Sequence, residues 1–282
     1  MRMNGNDLAA CAVIALGVGG VVVGSLLGVG NQAVTLPAVN PQPVVVDMPA
    51  EPEPTATPGP TPEPTPTVET VHFSATGDDL IHDGIFLQAK ERGGDHYDFD
   101  AAYAAMQGYY DQFDVNWLNQ ETLVNDEFAA SGYPMFSTPG EITDTLYNLG
   151  FRVFSLSNNH SYDTTLVGDK RTLEVVRGAG LETLGTYLDA DEQKWTIADI
   201  NDIKVGMLCY TYATGVGSNG APQLNGNAAI KEAGICNFFS YSNLPAFYSE
   251  VEGYLNDMKE AGAEATVLYV HWGDEYQLKP NQ

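Results

Sequence analysis

A proline-rich segment divides this chain into parts that must be structured separately. From position 37 to 67, proline occurs at nearly every second or third residue, including the run PAEPEPTATPGPTPEPTPT. Proline has a fixed φ and lacks an amide hydrogen, so such a segment forms neither helix nor sheet and favours extended polyproline II. We therefore expect residues 31–69 to be a semi-rigid stalk of roughly 3 Å per residue, followed by a folded domain over residues 70–282.

The stalk is preceded by an apolar stretch. Residues 8–29 read LAACAVIALGVGGVVVGSLLGV, which carries no charge and is close to the ~20 residues that span a bilayer. Arg2 precedes the stretch, and no small-x-small cleavage site ends it. The sequence predicts an uncleaved signal anchor within residues 1–30, a single transmembrane helix that places the domain outside the cell membrane. A cleaved signal peptide is the alternative.

The charge balance narrows the classes of partner. The chain has 12 Lys+Arg against 37 Asp+Glu, a formal net charge of −25. Nucleic acid and anionic lipid headgroups both need Lys and Arg for neutralisation, so we expect neither as a main partner. The simplest explanation of the acidity is a well-solvated surface, and it does not indicate a reaction.

Cysteine usage does not indicate a compartment. Within the predicted domain only Cys209 and Cys236 are available, and no CxxC metal spacing occurs. One disulfide between these two residues is left open by the sequence.

Strand-like and helix-like patterns alternate after the stalk. Strands are predicted at residues 71–76, 115–118, 151–157, 196–200, 204–212 and 265–270, and helices at 98–111, 138–149, 166–177 and 244–261. Thr138-Pro139-Gly140-Glu141 has the form of a capping box, and Asn201-Asp202 the form of a hairpin turn. This alternation predicts an α/β fold in which sheets are flanked by helices.

Polar clusters follow four of the strand-like runs. They are Asp78 with His82, Glu121, Asn159-His160 with Asp163, and His271. Ligands gather at the carboxyl ends of strands in α/β sheets, and carboxylates with imidazoles suit Zn, Mn or Fe. Two such ions about 3.5–4 Å apart generate hydroxide at neutral pH and bind both oxygens of an in-line displacement. The pattern therefore predicts a two-metal hydrolase site, with Glu121 able to bridge the ions.

Each signal also has a simpler explanation. Asp78 alone can be a helix cap, and His82 can be a surface residue, although four residues of helix would put it on the face of Asp78. Asn158-Asn159 can be a turn pair and His271 a core histidine. Their joint occurrence favours a site.

Five separated motifs resemble one protein family. GDDLIHD (77–83), NQET (119–122), SGYP (131–134), SNNH (157–160) and HWGDEY (271–276) occur in the order seen in CapA, or PgsA, proteins of poly-γ-glutamate capsule synthesis. The resemblance covers residues 71–282, and the family's N-terminal anchor agrees with this sequence. The family is similar to calcineurin-like metallophosphoesterases, which implies a two-sheet sandwich with helices outside.

The resemblance implies a division of metal ligands. Asp78 would hold the first ion, Glu121 would bridge, and Asn159 and His271 would hold the second. His82 is a further metal candidate, although it departs from the superfamily's closer Asp-x-His spacing.

The resemblance also implies roles around the metals. His160 would protonate the leaving oxygen or hold a scissile phosphate, and Asp163 would orient His160. Tyr133, Trp272 and Tyr276 would line the substrate cleft, or alternatively belong to the core.

The C-terminus departs from the family pattern. The family continues past His-Trp-Gly to a Gly-His-x-Pro-His type motif whose histidines supply a ligand to each ion, whereas this chain ends at Gln282. We expect a C-terminally truncated domain that binds metal weakly, is a poor enzyme and has an unpaired sheet edge.

Two functions follow as expectations. The first is a membrane-anchored, extracytoplasmic hydrolase with two divalent ions that acts on phosphoester or γ-glutamyl-type bonds, including those of an anionic polymer. The alternative is a non-catalytic assembly or binding component that works with capsule-synthesis membrane proteins. An anionic polymer would be repelled by the net charge unless metal or local Lys and Arg offset it.

Overall fold

The computed structural model describes residues 11–16, 68–227 and 234–274, together with Gln277 and Lys279. The strands are β1 (Cys11–Leu16), β2 (Phe73–Asp79), β3 (Val115–Gln120), β4 (Val124–Asn125), β5 (Thr138–Pro139), β6 (Phe151–Ser155), β7 (Glu182–Leu184), β8 (Thr196–Ile200), β9 (Ile203–Tyr212), β10 (Gly215–Val216), β11 (Pro222–Gln223), β12 (Phe238–Phe239) and β13 (Ala265–His271). The helices are α1 (Asp83–Gly93), α2 (Asp100–Tyr103), α3 (Gln107–Tyr110), α4 (Ile142–Asn148), α5 (Thr165–Gly178) and α6 (Leu244–Glu260), with 3₁₀ turns at Ala104–Met106 and Tyr241–Asn243.

Two sheets pack face to face. The first has the order β2-β3-β6-β7, and all of its strands run parallel. The second has the order β1-β13-β9-β12, also parallel, with β8 antiparallel to β9. Trp117 of β3 is fully buried between the sheets, and its ring lies 5.3 Å from that of Tyr269 on β13. One apolar cluster therefore contains residues from both sheets.

Helices cover the outer faces of both sheets. On the first sheet, Phe154 packs in one cluster with Ile142 of α4 and Leu173 of α5. On the second, Tyr210 packs against Phe247 of α6 with ring centroids 5.1 Å apart. The predicted α/β fold with helices flanking the sheets is confirmed for the described residues.

Local sequence signals predicted several elements correctly. Strands β3, β6, β8, β9 and β13 and helices α5 and α6 lie where the pattern placed them, within a few residues. Asn201 and Asp202 both have positive φ, 52° and 63°, as a two-residue hairpin turn between right-twisted strands requires.

Other local signals were overridden by tertiary contacts. Thr138 does not cap a helix: its N–H donates to the Leu123 carbonyl in the short β4–β5 ladder, and its hydroxyl donates to Thr122. Helix α4 begins later, after Glu141, whose side chain makes no capping bond. The helix predicted over 98–111 is divided into α2, a 3₁₀ turn and α3. Helix α1 and strand β7 were not predicted.

The predicted anchor and stalk fall almost entirely outside the described residues. Within the predicted anchor, Cys11–Leu16 form β1, which pairs parallel with β13. Among the residues that the structure describes, no helix combines the length and the apolar character needed to cross a membrane. The signal anchor over 1–30 and the stalk over 31–69 stay predictions.

Both cysteines of the domain are free and buried. Burial raises the pKa of Cys209 to about 12 and also raises the pKa of Cys236 well above its usual value. These thiols are therefore unreactive core residues, and the disulfide that the sequence left open is not formed.

Asp169, near the start of α5, is an unusual interior residue. It is fully buried, and neither carboxylate oxygen has a hydrogen-bond partner among the described residues. Burial raises the pKa of Asp169 to about 8 and outweighs the opposite effect of three nearby residues, Thr186, Lys170 and Arg177. The folded protein therefore holds a proton here that the unfolded chain releases near pH 4.

Asp169→Asn should change how stability depends on pH. Between pH 4 and 8 the unfolded state is ionised and the folded state is not, so the wild-type protein loses stability as pH rises. From pH 5.5 to 8.5 the free energy of unfolding of the variant should increase relative to wild type by roughly 3 kcal/mol, at about 1.4 kcal/mol per pH unit. Urea denaturation at the two pH values measures this.

Asp144→Asn is the matched control, because Asp144 is exposed on α4. It should leave the pH dependence of wild type unchanged. Parallel curves for Asp169→Asn and wild type would contradict the prediction.

Candidate metal centre

Three chemically suitable side chains meet where strands of the two sheets end. Asp78 lies near the end of β2, Glu121 directly follows β3, and His271 is the last residue of β13. One ligand atom from each lies within 4.8 Å of those of the other two. The described structure therefore forms one candidate metal-ligand group from residues far apart in the chain.

A bulge in β2 directs Asp78 towards this group. The pairing of β2 with β3 shifts between Thr76 and Asp78, which leaves Gly77 without a partner and aligns Asp78 with Asn119. Asn119 is fully buried, and its amide donates to Asp78 Oδ1 at 2.7 Å. The same amide nitrogen lies 3.3 Å from His271 Nδ1. Asn119 thus connects a carboxylate of one sheet to an imidazole of the other.

The two nitrogens of His271 face different partners. Nδ1 lies 3.3 Å from Asp78 Oδ1, and Nε2 lies 2.9 Å from Asn159 Oδ1. Because the Asn159 oxygen only accepts, Nε2 carries the hydrogen of this bond, and Nδ1 is the atom directed at Asp78. Asn159 therefore orients the ring in this structure, and its role as a ligand of a second ion stays a prediction.

The two carboxylates differ in proton affinity. Burial raises the pKa of Asp78, but the hydrogen bond and charge of His271 outweigh it, so the net direction is downward. Burial and the charge of Asp78 raise the pKa of Glu121 to about 7. Burial lowers the pKa of His271, but Asp78 and Glu121 more than offset this, and the net direction is upward.

The donor set fits a divalent cation. Two carboxylates with an imidazole suit Zn, Mn or Fe rather than the all-oxygen shell of Ca. Asp78 and Glu121 repel each other, as the pKa of Glu121 shows, and a cation bound between them would relieve that repulsion.

His160 and Asp163 form a second pair at the edge of the group. His160 Nδ1 lies 2.7 Å from Asp163 Oδ2, which also accepts the backbone N–H of Phe136 at 2.8 Å. His160 Nε2 lies 4.0 Å from Glu121 Oε1. The structure therefore places the predicted acid and its orienting carboxylate together, with the outer ring nitrogen directed at Glu121.

Asn158 holds the turn that carries His160. It is almost fully buried; its amide donates to the Gln120 carbonyl at 3.0 Å, and its oxygen accepts the His160 backbone N–H at 2.9 Å. The sequence suggested a turn pair at this position, and the buried position of Asn158 between two strand ends was not predicted.

The Gly/Asn-rich loop before position 228 also reaches the site. Asn225 Nδ2 lies 3.4 Å from His160 Nδ1, and Asn227 donates to the Tyr162 carbonyl. Nothing in the composition of this loop indicates which surface it covers, so only the structure shows this contact.

His82 lies outside the ligand group of the described residues. Its side chain is 51% exposed, and its Nδ1 accepts the Asp83 N–H, which makes it the N-cap of α1. The expectation that Asp78 and His82 share a helix face is wrong, because Asp78 belongs to a strand. The ring of Phe136 lies between His82 and the His160–Asp163 pair, 5.6 Å from the ring of His82 and 4.8 Å from that of His160.

The aromatic residues expected at the cleft have different positions. Tyr133 is 73% exposed and contacts Phe136 edge-on at 6.5 Å, beside the site. Trp272 packs against Phe239 in the cluster under α6, so it belongs to the core. Tyr276 lies outside the described residues.

Comparison with known protein families identifies the family to which this chain belongs. A family model described as bacterial capsule synthesis protein PGA_cap matches residues 72–282, which include every site residue described above. The chain belongs to the PGA_cap family. The resemblance to CapA proteins drawn from the motifs is thereby confirmed.

A curated relative of this PGA_cap protein is the capsule biosynthesis protein CapA of Bacillus anthracis. The two are 25% identical over 146 residues, which are 51% of this chain and 32% of the relative. The chain thus matches about a third of the length of the relative.

Glu121→Gln should affect the metal-free and metal-loaded forms of this PGA_cap protein in opposite ways. Without metal, at pH 8, the variant lacks a buried negative charge beside Asp78 and should be more stable than wild type by about 1–3 kcal/mol. With excess Mn²⁺ or Zn²⁺, wild type should gain stability by ligand binding and the variant much less. Thermal unfolding in chelator and in metal measures both effects.

Glu91→Gln, on the exposed surface of α1, is the control and should behave as wild type in both conditions. Full metal stabilisation of Glu121→Gln would remove Glu121 from the ligand set.

Proposed function

We propose that this PGA_cap protein is a metal-dependent hydrolase that acts outside the membrane, on a phosphoester or γ-glutamyl-type bond of capsule synthesis. One observation carries the proposal: the ligand atoms of Asp78, Glu121 and His271 lie within 4.8 Å of one another, beside a histidine–carboxylate pair. The predicted membrane anchor supports an extracytoplasmic site, and family membership supports a role in capsule synthesis.

A divalent cation would be held by Asp78, Glu121 and His271. Asn119 fixes the side chain of Asp78, and Asn159 fixes the ring of His271. When bound, such an ion lowers the pKa of a coordinated water and polarises the oxygen of the scissile group. The described residues assemble one ligand group, so a second ion, bridged through Glu121, remains a prediction.

His160 would transfer the proton. Asp163 accepts from Nδ1 and is itself held by the Phe136 amide, so Nε2 is the nitrogen that exchanges a proton at the site. Nε2 faces Glu121 at 4.0 Å and can donate to a leaving oxygen or nitrogen beside the carboxylates. The Phe136 ring packs on His160 and shields one side of the imidazole from water.

A second function is favoured by a specific feature of the same site. Asp78, Asn119, His271 and Asn159 already form a continuous hydrogen-bonded chain, so these polar residues can join the two sheets without catalysing a reaction. In that case the protein would be an assembly or binding component of a capsule complex.

Metal content is the first test. Because the sequence predicts weak binding, the full chain is equilibrated with excess Mn²⁺ or Zn²⁺, and elemental analysis should then find one or two bound ions per chain. Asp78→Asn should lower the affinity for the ion at least about tenfold. Binding of equal amounts by wild type and Asp78→Asn would contradict the metal centre.

Hydrolysis separates the two functions. With metal, the full chain should cleave a chromogenic phosphodiester or γ-glutamyl anilide, and His160→Asn should lower kcat about 10²–10⁴-fold by removing the proton donor. His96→Asn is the matched control, because His96 is 61% exposed and pairs with Asp95 on the surface. If metal-loaded wild type turns over neither substrate while partner assembly survives His160→Asn, the assembly function is the better account.

A further inference from the structure

A pocket of about 340 Å³ lies between the β10–β11 hairpin and the start of α6. Two of its lining residues, Phe239 and Phe247, are buried and stack with their ring centroids 4.3 Å apart. Val216 and Pro222 of the hairpin add further apolar surface. The volume falls within the range of small-molecule sites, roughly 300–1,000 Å³.

A row of aromatic rings connects this pocket to the metal centre. The ring of His271 lies 6.4 Å from that of Tyr212, the last residue of β9. The ring of Tyr212 lies 5.9 Å from that of Tyr241, which lies 5.4 Å from the ring of Phe239 in the pocket. Tyr241 is 51% exposed, so a ligand can reach it from solvent. The pocket and the metal centre are therefore neighbouring parts of one surface.

The polar groups of the pocket are almost all uncharged. They include the hydroxyls of Ser240 and Ser242 and the amide of Asn243, which lies at the N-cap of α6 but makes no capping bond with its side chain. Glu250 is the one ionisable residue among the described residues that line the pocket. The Tyr210 hydroxyl donates to Glu250 Oε1 at 3.0 Å and fixes the carboxylate. The pocket thus offers hydrogen-bond donors and acceptors but no cation.

This lining disfavours an anion and favours a neutral ligand with hydroxyl groups. No Lys, Arg or His lies among the described lining residues, and the net charge of −25 repels anions from the surface as a whole. A sugar ring has a face of C–H groups that packs on aromatic rings, and a rim of hydroxyls that each donate and accept. Serine and asparagine side chains also donate and accept, and a carboxylate accepts, so the hydroxyls of a sugar find suitable partners.

We propose that this pocket binds a neutral sugar ring of an oligosaccharide whose chain continues along Tyr241 and Tyr212 towards the metal centre. Binding of the sugar follows from the lining of the pocket alone. The inference also narrows the substrate of the metal centre to a sugar chain that carries a phosphoester, and in that respect it rests on the proposed function.

Calorimetry in chelator with the full chain and cellotetraose, an uncharged β-linked tetrasaccharide, tests the pocket. Saturable 1:1 binding is expected, and because the ligand is neutral its affinity should change little between low and high salt. Sorbitol, which has the hydroxyls but no ring, should bind at least about tenfold more weakly.

Two pairs of variants locate the binding. Ala246→Trp fills the pocket from the exposed surface of α6 without removing a core side chain, and it should weaken cellotetraose binding about tenfold or more. Asn256→Trp is its matched control, because Asn256 is exposed on the same helix and does not line the pocket. Tyr241→Ala should weaken binding about threefold to tenfold by removing a ring, whereas Tyr248→Ala, 60% exposed on α6, should bind as wild type.

The proposal is overturned if cellotetraose does not bind saturably, if sorbitol binds as tightly, or if Ala246→Trp and Asn256→Trp weaken binding equally. Tighter binding of phenethylammonium than of cellotetraose would assign the pocket to an organic cation and reject the sugar. Binding that requires added Mn²⁺ would assign the saccharide to the metal centre and reject the pocket. Absence of hydrolysis with cellotetraose binding retained would affect only the proposed function.

Discussion

The packing of the two sheets around Trp117 positions the residues of the candidate metal centre. The indole is completely buried between the sheets, in contact with Phe73 on one side and Tyr269 on the other. The Tyr269 hydroxyl donates to the Thr76 carbonyl at 2.7 Å across the interface. Thr76 lies two residues before Asp78, and Tyr269 lies two residues before His271. The hydrophobic interface therefore also sets the distance between Asp78 and His271.

The site is built from polar groups that would be unfavourable elsewhere in an interior. The pKa of Glu121 is raised by burial and by Asp78. Asp79, the chain neighbour of Asp78, is partly buried, and burial of its carboxyl group raises its pKa to about 6 even though Tyr103 donates to it. Such groups lower stability unless they are hydrogen-bonded or bind a cation. Buried asparagines such as Asn119 offset part of this unfavourable energy by donating to the carboxylate and orienting it. The hydrophobic core offsets the remainder of this unfavourable free energy, and a bound ion would stabilise the folded protein further.

Much of the site could be predicted because its residues share a simple local context. Asp78, Glu121, His160 and His271 each follow an apolar strand-like run, and the alternation of strands with helices implies that those ends converge. The supporting role of Asn119 could not be found this way. Asn119 lies within a buried strand, where an amide is normally unfavourable, and its partners come from distant parts of the chain.

Local patterns in the amino-acid sequence by themselves determined the α/β class, the hairpin at Asn201-Asp202 and the chemical types at the strand ends. These follow from side-chain periodicity and backbone preference, which act between near neighbours. Only the tertiary structure decided which residues meet. In the folded protein Thr138 pairs with a neighbouring strand instead of capping a helix, and His82 caps α1 outside the ligand group. Asn159 contacts His271. The reason is that contacts between the two sheets are set by packing across the core, which sequence spacing does not encode.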